Sequence, residues 1–186
     1  MGEVALKATA AGVLHKSDAG AVRLHLKGEI QVEQAAREMA DALDAAGHKV
    51  SGFQLQPMVP EGVEMLVGVV QDQHFGPVLA CGAGGTATEL LKDVSVRITP
   101  ITKGDADRMV RSLKTFPLLD GYRGAQRADV GALEDVLLRV SALVEAHPEI
   151  AEMDLNPLVV HSAGAMVVDA RIRLEPGASR PPIGSR

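Results

Sequence analysis

The fold is decided near the amino terminus, in the stretch Val4-Ala-Leu-Lys-Ala-Thr-Ala-Ala-Gly-Val-Leu-His-Lys-Ser-Asp-Ala-Gly-Ala-Val-Arg-Leu24. This sequence predicts a strand over residues 4–10, a polar loop, and a second strand over residues 21–26. Within six positions, the loop holds His15, Lys16, Ser17, Asp18 and Gly20. Cationic, hydroxyl and small residues in one loop suit a polyphosphate, because backbone N–H groups can approach its oxygens and point charges can neutralise them. The imidazole of His15 could also accept a phosphoryl group as a nucleophile.

The composition indicates a globular protein that binds neither nucleic acid nor membranes. Of the 186 residues, 46% are hydrophobic and 23% are charged, which suffices for the core of one domain, in two lobes at most. Aromatic residues make up 2% and the formal net charge is −5, so stacking on single-stranded nucleic acid and binding to anionic surfaces are disfavoured. Cys81 is the single cysteine, which excludes an intrachain disulfide and a cysteine-based zinc site. With no secretory signal or membrane-spanning run, the sequence predicts a cytoplasmic protein.

Strands and helices alternate along the chain, which predicts an α+β or α/β fold in two lobes. Helical periodicity covers residues 30–46, 105–113 and 132–146, and a short helical stretch is predicted to open at Thr86. Further strands are predicted over residues 52–59, 63–70, 77–80, 95–99, 154–161 and 165–171. The turn Pro60-Glu61-Gly62 separates a lobe over residues 1–59 from a lobe over residues 60–175. Residues 176–186, rich in Pro, Gly and Ser, predict a disordered tail.

Two predicted strands near the carboxyl terminus supply a candidate magnesium site. Asp154 and Asn156 are two residues apart and therefore face the same side of one strand, and Asp169 lies in the apolar strand that follows. An Asn carbonyl and a carboxylate from adjacent strands suit Mg²⁺, which prefers hard oxygens, few protein ligands and nucleotide phosphates for the remaining positions. The alternative is that Asp154 and Asp169 cap strands or pair with Arg171 and Arg173.

Three further features are candidates for nucleotide binding. Glu64 could accept a hydrogen bond from a ribose hydroxyl, or it could be a solvated carboxylate at a strand edge. Lys7 stands in an otherwise apolar strand and must therefore face an anion or a water-filled cleft. The segment with Gly82, Gly84 and Gly85 permits close backbone approach to a phosphate, although such a segment between a strand and a helix is commonly just a turn. It is neither a Walker A sequence nor a clean G-x-G-x-x-G.

Ten motifs in a fixed order resemble the ATP-grasp domain of the NDP-forming acyl-CoA synthetases, whose best-described members are the ADP-forming acetate–CoA ligases. They include V-x-L-K at residues 4–7, L-H-K-S-D-x-G-x-V at 14–22, Q-P-M-V-x-x-G-x-E at 56–64, M-D-L-N-P-L at 153–158 and V-D-A-R-I at 168–172. The resemblance spans roughly residues 4–175. It implies an α+β fold of two lobes, each with a mixed or antiparallel sheet and helices. It also implies a truncated N-terminal lobe, since the family places a helical segment before the first strand.

The resemblance implies that this chain is the nucleotide-binding part of an ADP-forming acyl-CoA synthetase. In that family a phosphoryl group passes between a phosphohistidine and ADP or ATP, so ATP or ADP and Mg²⁺ are the implied cofactors. The CoA-binding and CoA-ligase domains are absent here, which implies a partner subunit or domain that supplies them. Without it, the chain would be an inactive part of a ligase that forms carbon–sulfur bonds, and the acyl specificity would belong to the partner.

Each motif also implies a role for its residues. His15 would be a phosphoryl relay in the phosphate loop over residues 14–22, where Lys16, Ser17 and Gly20 would cover the phosphates. Lys7 would contact the same phosphates.

In the remaining motifs, Glu64 would bind the ribose, and Asn156 with Asp169 would hold Mg²⁺. Asp154 would face the incoming phosphohistidine and orient it. The residues whose backbone would border the adenine are Gln56, Met58 and Val59.

Two other functions are compatible with parts of the sequence. Related ATP-grasp regions are fused to protein acetyltransferases, so the chain could be a regulatory module that binds nucleotide without ligase turnover. It could also be a nucleotide-dependent carboxylate ligase that acts alone. The presence of His15, Lys7, Asn156 and Asp169 favours catalytic competence over a regulatory module, and the specific L-H-K-S-D loop argues against an independent ligase.

Overall fold

A computed structural model describes residues 2–10, 20–85 and 92–176 of the chain. The chain divides into two compact units, Met1–Val59 and Pro60–Arg186. Among the helices that the structure describes, none is both long enough and apolar enough to span a membrane.

The first unit is a three-stranded antiparallel sheet with one helix packed on it. Its elements are β1 (Val4–Ala10), β2 (Val22–Leu26), α1 (Gly28–Ala45) and β3 (Val50–Pro57), and the strand order is β2-β1-β3. The buried residues that form its core are Leu6, Ala8, Ala21, Ala35, Met39 and Leu43. Side chains alternate along β1, so the face opposite this core carries the neighbours of Leu6 and Ala8 in the sequence.

Helix α1 forms where the apolar spacing predicts it. Ala35, Met39 and Leu43 follow one another at intervals of four residues and are the buried residues of this helix. At its amino end, the Gln31 side chain accepts a hydrogen bond of 2.7 Å from the backbone N–H of Lys27. At its carboxyl end, Gly47 has a φ of +82°, a conformation that glycine adopts at little cost.

The second unit is a six-stranded antiparallel sheet with helices packed against it. Its elements are β4 (Val63–Asp72), β5 (Gly76–Ala83), β6 (Val94–Ile98), α2 (Lys103–Arg111), α3 (Phe116–Leu119), a 3₁₀ turn (Tyr122–Gly124), α4 (Val130–Ala146), β7 (Ile150–His161), β8 (Gly164–Val167) and β9 (Ala170–Leu174). The strand order is β6-β5-β4-β7-β8, and β9 also pairs with β7.

The core of this unit lies between the sheet and helices α2 and α4. Met65, Val67 and Val69 alternate along β4 and are buried in the same cluster as Leu133 and Leu137 of α4. The residues between them on β4 therefore face the opposite side of the sheet. We call this side, which carries Glu64, Leu66 and Gly68, the open face of the sheet. Asp154, which pairs with Gly68, lies on the same face.

The α+β class with antiparallel sheets is confirmed, while one strand prediction is wrong. The predicted single strand over residues 165–171 is two strands, β8 and β9, separated at Val168 and Asp169. Both pair with β7 in the same register, and the ladder is interrupted opposite Asn156 and Pro157, where the proline has no N–H to donate. The helix predicted to open at Thr86 and the tail over 177–186 lie outside the described residues.

Candidate functional site

Asn156 and Asp169 lie opposite each other, at a point where the pairing of two neighbouring strands is irregular. The backbone N–H of Asn156 donates a hydrogen bond of 3.2 Å to the backbone carbonyl of Asp169, and Val168 donates one of 2.9 Å to the carbonyl of Pro157. Asn156 is exposed and Asp169 is half-buried. Two backbone hydrogen bonds therefore join the break between β8 and β9 to β7, at the position where the sequence predicts the metal ligands.

The irregularity in β7 is a β-bulge opposite β4. Met65 pairs with Leu158 and Val67 pairs with Leu155, so Leu66 of β4 faces two residues of β7. Bulges of this kind turn a side chain away from the regular alternation of a strand and are frequent next to functional sites. Here the two bulged residues are Asn156 and Pro157, and the proline has no N–H to give to the ladder.

The oxygens of Asn156 and Asp169 suit Mg²⁺ better than a metal ion whose ligands all come from the protein. In the part of the chain that the structure describes, no group of three or more His, Cys, Asp and Glu side chains could hold a metal ion. One carboxylate and one amide oxygen are few ligands, as expected for Mg²⁺ when phosphate oxygens and water complete the octahedron. The fit is chemical, and metal binding by these two residues remains a prediction.

Asp154 lies on the same open face of the sheet as Asn156. It is half-buried on β7, between Gly68 of β4 and Arg171 of β9 in the register. Arg173, one of the two arginines considered as partners of Asp154 and Asp169, bonds Glu152 at 3.1 Å and also pairs with Glu175.

Glu64 stands at the start of β4, on the same face of the sheet, and is exposed. It pairs with Val159 in the register of β4 and β7, just beyond the bulge at Asn156. Its backbone carbonyl accepts a hydrogen bond of 2.8 Å from Gly84, which follows β5. The glycine-rich segment therefore contacts the predicted ribose ligand.

The first unit holds the other predicted nucleotide residues that the structure describes. Lys7 is only 7% exposed and lies on the face of β1 opposite the helix-packed residues. Gln56 of β3 pairs with Ala5, and so it is on the same face of this sheet as Lys7. Met58 continues the β3 chain and donates a backbone hydrogen bond of 3.0 Å to Glu3, while Val59 follows it and is half-buried.

Only the end of the predicted phosphate loop is described. Gly20 has a φ of +70°, which favours glycine, and the next residue, Ala21, accepts a backbone hydrogen bond of 2.8 Å from Ala8. His15, Lys16 and Ser17 lie outside the described residues, so their roles remain predictions.

The sequence analysis missed Asp93, a buried carboxylate close to the glycine-rich segment. It accepts hydrogen bonds from the N–H of Lys114 at 2.9 Å, and from the N–H and hydroxyl of Thr115 at 2.8 and 2.6 Å. Its backbone carbonyl also accepts a bond of 3.3 Å from Ala83. Asp93 thereby ties the end of β5 to the loop before α3. The position of Asp93 directly before an apolar strand was the feature of the sequence that could have indicated a buried carboxylate.

The fold belongs to a known class of protein. The ATP-grasp domain family matches residues 1–174 of the chain. The chain is 45% identical over 173 residues to the ADP-forming acetate–CoA ligase I of Archaeoglobus fulgidus, covering 92% of this chain and 25% of that relative. It is 38% identical over 175 residues to the beta subunit of the ADP-forming acetate–CoA ligase I of Pyrococcus furiosus, covering 92% of this chain and 75% of that subunit.

A solved structure agrees with these relatives. The dinucleotide-forming acetyl-coenzyme A synthetase 1 of Candidatus Korarchaeum cryptofilum, in complex with coenzyme A, Ca-AMPCP and HgCl⁺, is 39% identical with a TM-score of 0.87. The match covers 92% of this chain and 76% of that one. A second complex of the same synthetase contains coenzyme A and Mg-AMPPCP, with a phosphohistidine segment pointing towards the nucleotide binding site. It is 39% identical with a TM-score of 0.81, over 92% of this chain and 76% of that one.

The chain therefore belongs to the ATP-grasp domain family and is homologous to the beta subunit of ADP-forming acetate–CoA ligases. This confirms the resemblance that the ten motifs indicate. The chain spans about a quarter of the length of the Archaeoglobus fulgidus ligase and about three quarters of that of the Pyrococcus furiosus beta subunit.

Proposed function

We propose that this chain is the nucleotide-binding part of an ADP-forming acyl-CoA synthetase and transfers a phosphoryl group between a phosphohistidine and ADP. The observation that carries the proposal is the contact between the Asn156 and Asp169 backbones across the β7 bulge. It makes the two residues neighbours, and the proposal has their amide oxygen and carboxylate face one metal ion. The relatives with Mg-AMPPCP and Ca-AMPCP support a nucleotide and a divalent cation at such a site.

The residues of the second unit would bind and orient the reacting groups. Asn156 and Asp169 would hold Mg²⁺, whose charge would neutralise phosphate oxygens during the transfer. Glu64 would accept hydrogen bonds from the ribose, and Asp154 would accept one from the imidazole of the phosphohistidine and so orient it. Positioning and charge neutralisation supply most of the catalysis of phosphoryl transfer, so a general base is not required.

The residues of the first unit would bind the nucleotide from its phosphates to its base. Lys7 would donate to the phosphate oxygens, and the backbone from Gln56 to Val59 would border the adenine. In the loop, Lys16, Ser17 and Gly20 would cover the phosphates.

In the proposed step, the P–N bond of a phosphohistidine breaks while a P–O bond forms to the terminal phosphate oxygen of ADP, giving ATP and a free imidazole. If His15 accepts the phosphoryl group first, the P–N bond of the phosphohistidine breaks while a P–N bond forms to the His15 imidazole; that second P–N bond then breaks as the P–O bond to ADP forms. The phosphohistidine would come from a CoA-binding and CoA-ligase part. That part would also supply acyl transfer, for which the described residues offer no assigned site.

Calorimetric titration with ADP and with ATP, in the presence and absence of Mg²⁺, tests this function. We expect wild-type affinity to rise with Mg²⁺, and Asp169→Asn to remove at least about ten-fold of that affinity. Loss of a supporting contact alone typically lowers metal affinity by this factor, and a direct ligand should matter as much. The ADP affinity measured without Mg²⁺ should change little in the same variant.

Asp135→Asn is the matched control, because it removes the same charge from an exposed carboxylate that pairs with Arg139 on α4. Equal Mg²⁺ dependence in the two variants would contradict the metal assignment. A wild-type chain that binds neither nucleotide would contradict the proposed function itself.

A further inference from the structure

The glycine pair Gly84-Gly85 packs directly against Glu64. A Cβ atom at Gly84 would lie 2.8 Å from the carbonyl carbon of Glu64 and 2.8 Å from the backbone nitrogen of Met65. A Cβ atom at Gly85 would lie 2.6 Å from Oε2 of Glu64. These distances are shorter than real contacts of Cβ atoms, so neither position admits a side chain without a shift of its neighbour.

The two glycines differ in what a side chain would displace. At Gly84 the neighbour is the backbone of β4, which cannot move without disturbing the sheet. At Gly85 it is the end of the flexible Glu64 side chain. An alanine at position 85 would therefore move the Glu64 carboxylate and leave the strand in place.

The glycine-rich segment is also held from its other side, so it cannot retreat from Glu64. The N–H of Ala83 donates a 3.3 Å hydrogen bond to the carbonyl of Asp93, and a Cβ atom at Gly82 would lie 2.7 Å from that same oxygen. Asp93 is in turn buried and bonded to Lys114 and Thr115. The segment lies in a tight position between β4 and the chain entering β6.

We infer that Gly85 is a positioning residue that fixes where the Glu64 carboxylate lies, and that it thereby sets how tightly the ribose of a nucleotide is bound. The inference rests on the proposed function, in which Glu64 accepts from the ribose hydroxyls. In this inference the glycine-rich segment positions a side chain that binds the ribose, whereas its sequence alone suggests a backbone contact with phosphate. Because position 85 has no side chain, there is room beside it for the Glu64 carboxylate, which would bind the ribose.

The chain offers a matched pair of substitutions to test this. Gly85 and Gly76 both have positive φ, +65° and +76°, so alanine strains the backbone similarly at either position. Only at Gly85 would the new Cβ meet Glu64, whereas at Gly76 no atom lies within 4 Å of it. A difference between Gly85→Ala and Gly76→Ala therefore reports the displaced carboxylate and not the backbone strain.

We expect Gly85→Ala to weaken the binding of Mg-ADP about ten-fold relative to Gly76→Ala, the effect of losing a hydrogen bond to a charged group. The loss should be absent for 2′,3′-dideoxy-ADP, which has no ribose hydroxyls to bind. In a Glu64→Ala background, Gly85→Ala should have no further effect on ADP binding, because the two residues act through one contact. Should Gly85→Ala fail to fold, Gly85→Asn against Gly76→Asn repeats the comparison, since Asn adopts positive φ more readily.

The outcomes separate this inference from the function on which it rests. A wild-type chain that does not bind Mg-ADP contradicts both. If the wild type binds but Gly85→Ala and Gly76→Ala lose affinity equally, the inference alone is wrong. The same holds if Gly85→Ala weakens ADP and its dideoxy analogue alike, because the residue would then have a purely structural role.

Discussion

Asp93 stabilises the second unit through a carboxylate that is 6% exposed and accepts three hydrogen bonds. Burial by itself raises the pKa of Asp93. The hydrogen bonds from Thr115 and Lys114 outweigh it, so that the pKa lies below its ordinary value of 3.8. A carboxyl group whose pKa is lower in the folded than in the unfolded chain stabilises the fold when it is ionised. Its contribution is therefore complete well above pH 3.8 and is lost as the pH falls through the lowered pKa.

Asp93→Asn should show this contribution in unfolding experiments. Near neutral pH we expect the substitution to lower the free energy of unfolding by about 1–3 kcal/mol, because an amide leaves some of the three donors without an acceptor. The difference from the wild type should shrink as the pH falls below the ordinary pKa of 3.8. Urea unfolding at a series of pH values measures it, with Asp135→Asn as the exposed control. A difference that stays constant with pH would mean that the ionised carboxylate is not its cause.

Among the elements, α2 has an amino end that the sequence determines locally. Thr102 accepts a 3.2 Å hydrogen bond from the N–H of Asp105, and the Asp105 carboxylate accepts one of 2.9 Å from the N–H of Thr102. This reciprocal arrangement is a capping box. The hydrogen bonds from Thr102 and then the nearby Arg108 hold the pKa of Asp105 well below its ordinary value. The helix therefore begins before Asp105, where the apolar periodicity alone predicts its start.

Thr102→Ala should lower the free energy of unfolding by about 1 kcal/mol, the usual cost of losing an amino-terminal cap. Thr102→Ser is the matched control and should stay close to the wild type, since its hydroxyl can make the same bond. The midpoint of urea unfolding at constant slope measures both. Equal losses in the two variants would show that the threonine methyl group, and not the cap, provides the stability.

Elements defined by local periodicity or turns could be predicted from the sequence, and interruptions caused by a neighbouring strand could not. The spacing of Ala35, Met39 and Leu43 defines α1 by itself, and the structure agrees. The division of residues 165–171 into β8 and β9 occurs where this segment lies opposite Asn156 and Pro157 of β7. A window of sequence that contains only one strand does not hold that information.

The same distinction applies to the candidate site. Placing Asn156 near Asp169 required only that two strands close in sequence be neighbours, and the structure shows this contact. The contact between Gly85 and Glu64 joins residues that meet only through the antiparallel register of β4 and β5. The sequence shows the glycines, but the neighbour that excludes a side chain is known only from the fold.

The molecule as a whole contains two cores of unequal size, and Cys81 can report on the larger one. Among the residues that the structure describes, the second unit buries twenty in its main cluster and the first unit buries six. Cys81 lies in the larger cluster, where burial and then the nearby Asp93 charge raise the pKa of its thiol to about 12. A buried, protonated thiol does not react with a thiol reagent, so labelling requires this unit to open.

One leucine substitution in each core should affect a different measurement, either the labelling of Cys81 or amide hydrogen exchange in the first unit. Leu137→Ala removes buried volume from the larger core, and we expect it to cost about 2–5 kcal/mol and to accelerate Cys81 labelling by at least about 30-fold when opening is in rapid equilibrium. Leu43→Ala removes the same atoms from the smaller core and should leave the labelling rate within about two-fold of the wild type. It should instead speed amide hydrogen exchange in β1 and β3, because the first unit has little other buried apolar surface. If Leu43→Ala accelerated labelling as much as Leu137→Ala does, the two cores would unfold as one cooperative body. Stability measured in one unit could then not be assigned to that unit alone.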